Sequence, residues 1–225
     1  PGPITVSPVA QKGLSYDVNQ LQAITLIADG PGGLVVAKGS PFKSVADLLA
    51  AARARPGALS FGSAGTGAFS HLSSELLKTL AGIDAVHIPY KGSGPAMVDV
   101  LGGRLDFYIE FFPAVQKLVD SGELRALAVT SGKRFPLRPD IPTMIEAGVP
   151  GYSATLWWAV ALPKGADPAL VQRLNGELKR VTALPDVQER YASLGMNPAH
   201  SAPRDVTELI RSDTRKFGPI LKAAG

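Results

Sequence analysis

The stretch Leu59-Ser-Phe-Gly-Ser-Ala-Gly-Thr-Gly-Ala-Phe-Ser-His-Leu72 runs from a short apolar strand through a glycine-rich loop into a helix. Glycines alternate with hydroxyl side chains in the loop, and the helix is predicted to begin near Ser70 or His71. Glycine lets a backbone approach a ligand closely, and the first N–H groups of a helix have no partner inside the helix. The pattern therefore predicts a loop that can hold an anion such as a carboxylate or a phosphate.

The known glycine-rich motifs describe this loop poorly. A Walker A loop needs a lysine, and this loop contains none. Ser70 occupies the third glycine position of the dinucleotide fingerprint, and Phe61 replaces the glycine that precedes the serine of a nucleophile elbow. Serine hydrolysis is therefore unsupported, and a turn that only caps the helix remains an alternative.

Strand-like and helix-like segments alternate along the chain. Apolar runs predict strands at 24–28, 33–37, 59–62, 85–89, 105–111, 124–130 and 155–162. Helical periodicity predicts helices at 45–55, 71–81, 95–101, 113–121, 187–194 and 204–223, and a helix led by Pro168. Ser44 and Asp47 resemble a capping box at the start of the first of these helices. The alternation predicts an α/β fold with mostly parallel sheets flanked by helices, in which ligands bind beyond the carboxyl ends of the strands.

Other candidate residues follow later strands. Lys91 lies in a Gly/Ser loop after one strand and can supply a cation, although an ordinary surface lysine is the simpler interpretation. Glu110 ends an apolar strand, where it can accept from a ligand or cap the helix begun at Pro113. Trp157 and Trp158 face opposite sides of a strand, so one can line a cleft while the other packs in the core.

The composition excludes several classes of protein. With 225 residues, 45% of them apolar and 19% charged, the chain can form one large folded domain or two small ones. It has no cysteine, which excludes disulfides, thiolate metal sites and a cysteine nucleophile. The net charge of +4 is spread without a basic run, which disfavours nucleic acid, and no stretch reaches the roughly 20 apolar residues of a membrane span. The three histidines show no metal-ligand spacing and no catalytic triad emerges, so we predict no cofactor, no metal and no enzymatic activity.

The order of the motifs resembles one family. The stretches that carry the resemblance are Ser-Ala-Gly-Thr-Gly-Ala-Phe-Ser-His at 63–71, Val-His-Ile-Pro-Tyr-Lys-Gly-Ser-Gly-Pro-Ala at 86–96, Leu-Gly-Gly-Arg-Leu-Asp at 101–106, Gly-Glu-Leu-Arg-Ala-Leu-Ala-Val-Thr-Ser at 122–131, Pro-Asp-Ile-Pro-Thr-Met-Ile-Glu-Ala-Gly at 139–148 and Gly-Tyr-Ser-Ala-Thr-Leu-Trp-Trp at 151–158. Together they resemble the extracytoplasmic solute-binding proteins of tripartite tricarboxylate transporters, the TctC or Bug family.

The resemblance implies a two-lobed periplasmic binding protein fold, type II-like, with a two-strand hinge. Lobe 1 would comprise residues 1–87 and 157–225, and lobe 2 residues 88–156. The lobes would close on a small carboxylate held by backbone N–H groups and hydroxyls. The implied ligand-binding residues are Ser63, Ala64, Gly65, Thr66, Gly67, Ser70, His71, Lys91, Gly92, Ser93, Glu110, Thr155 and Trp157.

The same resemblance implies a monomeric periplasmic receptor that delivers its ligand to membrane permease subunits without chemistry. The signal peptide of such a protein is not present in this chain. Two alternatives remain open: a non-transporting, ligand-sensing interaction protein, and a hydrolase that uses the Ser63–His71 loop.

The chain departs from the family at its beginning. Family members begin with a strand, a loop resembling Pro-x-x-x-Gly-Gly-x-x-Asp and a helix, and this block is absent from the 225 residues. We therefore expect lobe 1 to be incomplete. Losing two charge-assisted hydrogen bonds of roughly 1.5–3 kcal/mol each would weaken carboxylate binding to the millimolar range.

Overall fold

A computed structural model describes residues 2–10 and 13–223 of the chain. Its strands are β1 (Leu21–Ala37), β2 (Ser60–Ser63), β3 (Val86–Pro89), β4 (Phe107–Phe111), β5 (Leu124–Val129), β6 (Thr155–Pro163) and β7 (Asn197–Pro198). Its α-helices are α1 (Gly2–Thr5), α2 (Ser7–Ala10), α3 (Val45–Ala54), α4 (Phe69–Ala81), α5 (Ser93–Leu101), α6 (Phe112–Asp120), α7 (Pro168–Thr182), α8 (Pro185–Ser193) and α9 (Pro203–Ala223). The predicted helices are all present, whereas α1, α2 and β7 were not predicted. The predicted capping box of Ser44 and Asp47 is confirmed at the start of α3.

The chain divides into two compact units. Unit 1 comprises Pro1–Gly30 and Leu156–Gly225, and unit 2 comprises Pro31–Thr155. This division differs from the predicted lobes mainly at the first boundary, which lies inside β1 and not near residue 87. The reason is that β2 pairs with both β3 and β4, so residues 31–87 share one sheet with the residues that follow them.

The sheet of unit 2 is mixed, with the strand order β3-β2-β4-β1-β5. The helices α4, α5 and α6 connect successive strands from β2 to β5, which therefore all point the same way. β1 lies between β4 and β5 and runs antiparallel to both. The expectation of a mostly parallel sheet thus applies to four strands of this sheet and is wrong for β1.

β1 is one strand of 17 residues, although the sequence predicts two strands with a turn between them. The Gly-Pro-Gly-Gly segment at 30–33 looks like a turn, but it is buried strand. A Cβ atom at Gly32 would lie 2.7 Å from the Phe69 ring, and one at Gly33 would lie 2.8 Å from the Phe112 ring. These glycines are required because neighbouring aromatic rings approach the backbone closely.

Thr130 joins two backbone segments inside unit 2. Its buried hydroxyl accepts from the Gly32 N–H at 2.6 Å and donates to the Ala154 carbonyl at 2.5 Å. Backbone bonds from Thr130 N–H to Gly32 and from Ala154 N–H to Thr130 reinforce the junction. The residues at which the chain enters and leaves unit 2 are therefore held by one side chain.

Unit 1 is built on the first half of β1, with β7 paired antiparallel to it through Ala28 and Asp29. β6 also pairs with β1. The Asn175 amide of α7 donates to the carbonyls of Ile24 and Ser201, which attaches that helix to the strand. Across the described residues, no helix is both long enough and apolar enough to traverse a bilayer.

Candidate functional site

Three strands of unit 2 end at one edge of the sheet, and each leads into a helix. β3, β2 and β4 are parallel neighbours, and they are followed by α5, α4 and α6 respectively. The loops after β2 and β3 are joined, because the Tyr90 N–H donates to the Ser63 carbonyl at 3.0 Å and the Gly92 N–H donates to the Ala64 carbonyl at 3.2 Å. We call this part of the molecule, residues 63–71, 90–93 and 108–112, the loop edge.

The helix starts at the loop edge are electrostatically positive. The N-cap residues of α4, α5 and α6 are Ala68, Gly92 and Phe111, and none of them makes a side-chain capping hydrogen bond. By contrast, α3 and α7 are capped by Ser44 and Asp167. A helix N-terminus carries about half a positive charge and attracts anions.

Glycines set the shape of the two loops. Gly65, Gly67 and Gly92 have φ angles of 129°, 79° and 109°, which L-residues with side chains rarely adopt. A Cβ atom at Gly65 would also lie 3.4 Å from the Tyr90 carbonyl oxygen. The loop conformation therefore depends on glycine at these positions.

The predicted ligand residues Ser63, Ser70 and His71 are buried and support the loop from inside. The Ser63 hydroxyl accepts from the Gly65 N–H at 3.1 Å, and the Ser70 hydroxyl accepts from the Ala64 N–H at 2.9 Å. His71 Nδ1 accepts from the Gly67 N–H at 3.1 Å. Their direct contact with a ligand stays a prediction.

The more accessible predicted residues lie around these supports. Thr66 and Lys91 are exposed, and the remaining members are half-buried: Ala64, Gly65, Gly67, Gly92 and Ser93. The structure thus brings the two predicted loops together in unit 2, with backbone and one lysine on the accessible side.

His87 is a site residue that the sequence reasoning missed. Its Nε2 lies 2.6 Å from the Ser63 hydroxyl, and its ring stacks on that of His71 with centroids 4.0 Å apart. Burial lowers the pKa of both imidazoles, and the neighbouring His71 helps to bring that of His87 to about 4. The register contained the signal, because His87 lies opposite Phe61, two residues before Ser63 on the adjacent strand.

The Ser63–His87 pair does not form a hydrolase triad. Ser63 is 0% exposed, so a substrate cannot reach its hydroxyl. Among the hydrogen bonds of the described residues, none joins His87 to an aspartate or glutamate. The pair is therefore better explained as a loop support than as a nucleophile and its base.

Glu110 is buried at the end of β4 and already has protein partners. Its carboxylate accepts from the Tyr108 hydroxyl, and it accepts from the Phe111 N–H at 2.7 Å. Burial and the adjacent Glu110 raise the pKa of Tyr108, so Tyr108 is a neutral donor, and the side chains of Ser93 and Ser70 also interact with it. Tyr108 was missed, although its spacing of two residues from Glu110 places both on one face of the strand.

Thr155 and Trp157 are the predicted residues furthest along the chain. Thr155 is the half-buried last residue of unit 2, and Trp157 belongs to unit 1. Trp157 is 3% exposed and donates from Nε1 to the buried Asp213 carboxylate at 2.8 Å, whereas Trp158 is 37% exposed. Within the described ranges, no three His, Asp or Glu residues are grouped as metal ligands.

We expect Trp157→Phe to lower the free energy of unfolding by about 2 kcal/mol, because it removes packing volume and a hydrogen bond to a buried carboxylate. Urea unfolding followed by circular dichroism measures this. Trp158→Phe is the matched control and should cost less than about 0.5 kcal/mol, as expected at an exposed position. Equal effects of the two substitutions would contradict the structural role assigned to Trp157.

Comparison with known proteins gives one consistent result. The family model described as tripartite tricarboxylate transporter family receptor matches residues 2–225. A curated relative, the UPF0065 protein in the tcbD-tcbE intergenic region of Pseudomonas sp. (strain P51), is 40% identical over 199 residues, which are 88% of this chain and 59% of that protein. The chain spans about three-fifths to seven-tenths of the length of the first curated relatives that it matches.

Solved structures agree with the fold. Rpa4515 of R. palustris, determined with adipate, is 34% identical with a TM-score of 0.80, and the match covers 96% of this chain and 73% of that one. The periplasmic binding protein BugD is 30% identical with a TM-score of 0.78, and the match covers 99% of this chain and 75% of that one. The resemblance noted in the sequence and the expected α/β binding-protein fold are thereby confirmed. The family match over residues 2–225 shows that this chain belongs to the tripartite tricarboxylate transporter receptor family, the TctC or Bug family.

Proposed function

We propose that this chain is a periplasmic receptor that binds a small organic carboxylate at the loop edge and delivers it, unchanged, to the permease subunits of a tripartite tricarboxylate transporter. The observation that carries the proposal is the convergence of three helix N-termini without side-chain caps beside two glycine-shaped loops. The family description supports the permease as partner, and the relative BugD supports the periplasm.

The charges at the loop edge favour an anionic ligand. Each helix N-terminus stabilises an anion by about 0.3–1 kcal/mol, and up to about 2 kcal/mol where it is partly buried. The exposed Lys91 adds a positive charge beside α5. Glu110 is the opposing charge, but its carboxylate is already bonded to Tyr108 and Phe111.

A dicarboxylate is the first ligand to test, because a relative that is 34% identical was determined with adipate. Titrating ¹⁵N-labelled protein with adipate should shift the amide signals of residues 63–71 and 90–93 in a saturable way. This measurement covers both micromolar and millimolar dissociation constants. Adipamide, which has the same length and no charge, should not bind, and binding of neither compound nor of shorter dicarboxylates would argue against the proposal.

Gly65→Val should weaken adipate binding about tenfold or more. A β-branched residue at a φ of 129° is strained by roughly 1–3 kcal/mol, and about 1.4 kcal/mol corresponds to tenfold in affinity. Gly39→Val is the matched control in unit 2, since a Cβ atom there meets nothing within 4 Å. A Gly65→Val protein that binds adipate as well as the control would remove the loop from the binding site.

A further inference from the structure

The stacked pair of His71 and His87 lies directly behind the glycine-rich loop and is tied to it at two points. His71 Nδ1 accepts from the Gly67 N–H at 3.1 Å. His87 Nε2 bonds the Ser63 hydroxyl, which in turn accepts from the Gly65 N–H. The orientation of two loop N–H groups therefore depends on the histidine pair.

The bond from Gly67 determines which nitrogen of His71 carries the proton. Since the Gly67 N–H can only donate, Nδ1 must be unprotonated, and neutral His71 carries its proton on Nε2. A second proton can then add only at Nδ1, where it would point at the Gly67 N–H. Two donors cannot share a hydrogen bond, so protonation of His71 breaks the link to the loop.

His87 differs in this respect. A doubly protonated His87 can still donate from Nε2 to the Ser63 hydroxyl, which has two acceptor positions. The bond between Gly67 and His71 is thus the link that acid must break, while the bond between Ser63 and His87 can survive.

The surroundings resist a positive charge on His71. Its Nε2 is buried and has no hydrogen-bond partner among the described residues. Lys78 of the same helix lowers the pKa of both histidines, and a charge on either ring disfavours a charge on the other at 4.0 Å. Glu75 is the opposing charge, and it is paired with Lys78 at 3.0 Å. At neutral pH the pair is therefore uncharged and the loop is held.

We propose that His71 is a positioning residue of the carboxylate loop, and that the loop keeps its binding conformation only while His71 is neutral, so that acidification releases the ligand. The inference rests on the proposed function for its second half. The first half, the dependence of the loop on the charge of His71, concerns the ligand-free protein and can be tested without a ligand.

The ligand-free test is an NMR titration from pH 8 to pH 4.5. The Gly67 amide signal should move with the same midpoint as the His71 ring signals, and this midpoint should lie below pH 6. His71→Asn places a non-titrating oxygen near the position of Nδ1, so its Gly67 signal should stay constant through the same range. His200→Asn is the control, because His200 bonds Asn175 in unit 1 and should leave the Gly67 titration unchanged.

The binding test measures the dissociation constant of adipate at pH 7 and pH 5. The starting protein should bind about tenfold more weakly at pH 5, His71→Asn should change much less, and His71→Phe should bind weakly at both. Partial protonation of adipate affects all variants equally, so the difference between the starting protein and His71→Asn isolates the histidine.

Two results would overturn the inference: a Gly67 signal that ignores the titration of His71, or a His71→Asn protein whose affinity falls with pH as steeply as that of the starting protein. If no variant binds adipate, the proposed function fails for this ligand, and the NMR titration still decides whether His71 controls the loop. If His71→Asn does not fold, the comparison of the Gly67 and His71 midpoints in the starting protein decides it.

Discussion

Thr130→Val should lower the free energy of unfolding of unit 2 by about 3 kcal/mol. Valine has nearly the shape of threonine but cannot bond the Gly32 N–H or the Ala154 carbonyl, which the Thr130 hydroxyl joins at 2.6 and 2.5 Å. Each buried polar group left without a partner costs about 1–3 kcal/mol. Urea unfolding followed by far-UV circular dichroism measures the change.

Two variants make this result specific. Thr130→Ser keeps the hydroxyl and should recover most of the loss, and Thr79→Val removes an exposed helix hydroxyl and should cost less than about 0.5 kcal/mol. Both tryptophans lie in unit 1, so their fluorescence reports on that unit while circular dichroism reports on both. If Thr130→Val were as stable as Thr79→Val, the junction would not be the stabilising element that its geometry indicates.

Lowering the pH from 7 to 4.5 should destabilise the protein, and about 2 kcal/mol of the loss should disappear in His87→Gln. The folded-state pKa of His87 is about 4, below its usual 6.5, mainly because the ring is buried. Between these values the unfolded chain binds more protons, so this stability is fully present above pH 6.5 and is lost as the pH falls towards 4. One pKa unit corresponds to about 1.4 kcal/mol, and partial solvent access to the ring reduces the total.

The measurement is urea unfolding at the two pH values. Glutamine can still accept from the Ser63 hydroxyl but does not titrate, so His87→Gln should lose stability less steeply. Carboxylates whose pKa is lowered, such as Asp99 and Asp140, also lose stability in acid, but they do so equally in both proteins. His200→Gln should behave as the starting protein does, and an equal slope in His87→Gln would exclude His87 as the source.

The helices and the strands that they connect were predictable from the sequence, because hydrophobic periodicity and capping are local properties. The capping box of Ser44 and Asp47 is an example, since both partners lie within one turn of α3. β1 was not predictable as one strand. Its glycines satisfy every local rule for a turn, and only the aromatic rings of Phe69 and Phe112, which lie against Gly32 and Gly33, explain them as strand residues.

The candidate site shows the same division. Chain order alone located both loops of the loop edge and Lys91, because each follows a predicted strand. It did not indicate that Ser63 and His71 face inward, nor that His87 and Tyr108 complete the network. The direction of a hydroxyl in a loop depends on partners from other strands, which the local pattern does not specify.

By itself, the sequence determined the α/β class, the family and the two loops that can meet an anion, since these depend on motifs and periods within short stretches. Only the tertiary structure decided the boundary between the units, the direction of β1 and the supporting role of the buried serines and histidines. The physical reason is distance along the chain: the hydrogen bond of Ser63 with His87 spans 24 residues, and that of Gly32 with Thr130 spans 98. Such bonds exist only after the strands that carry them have paired.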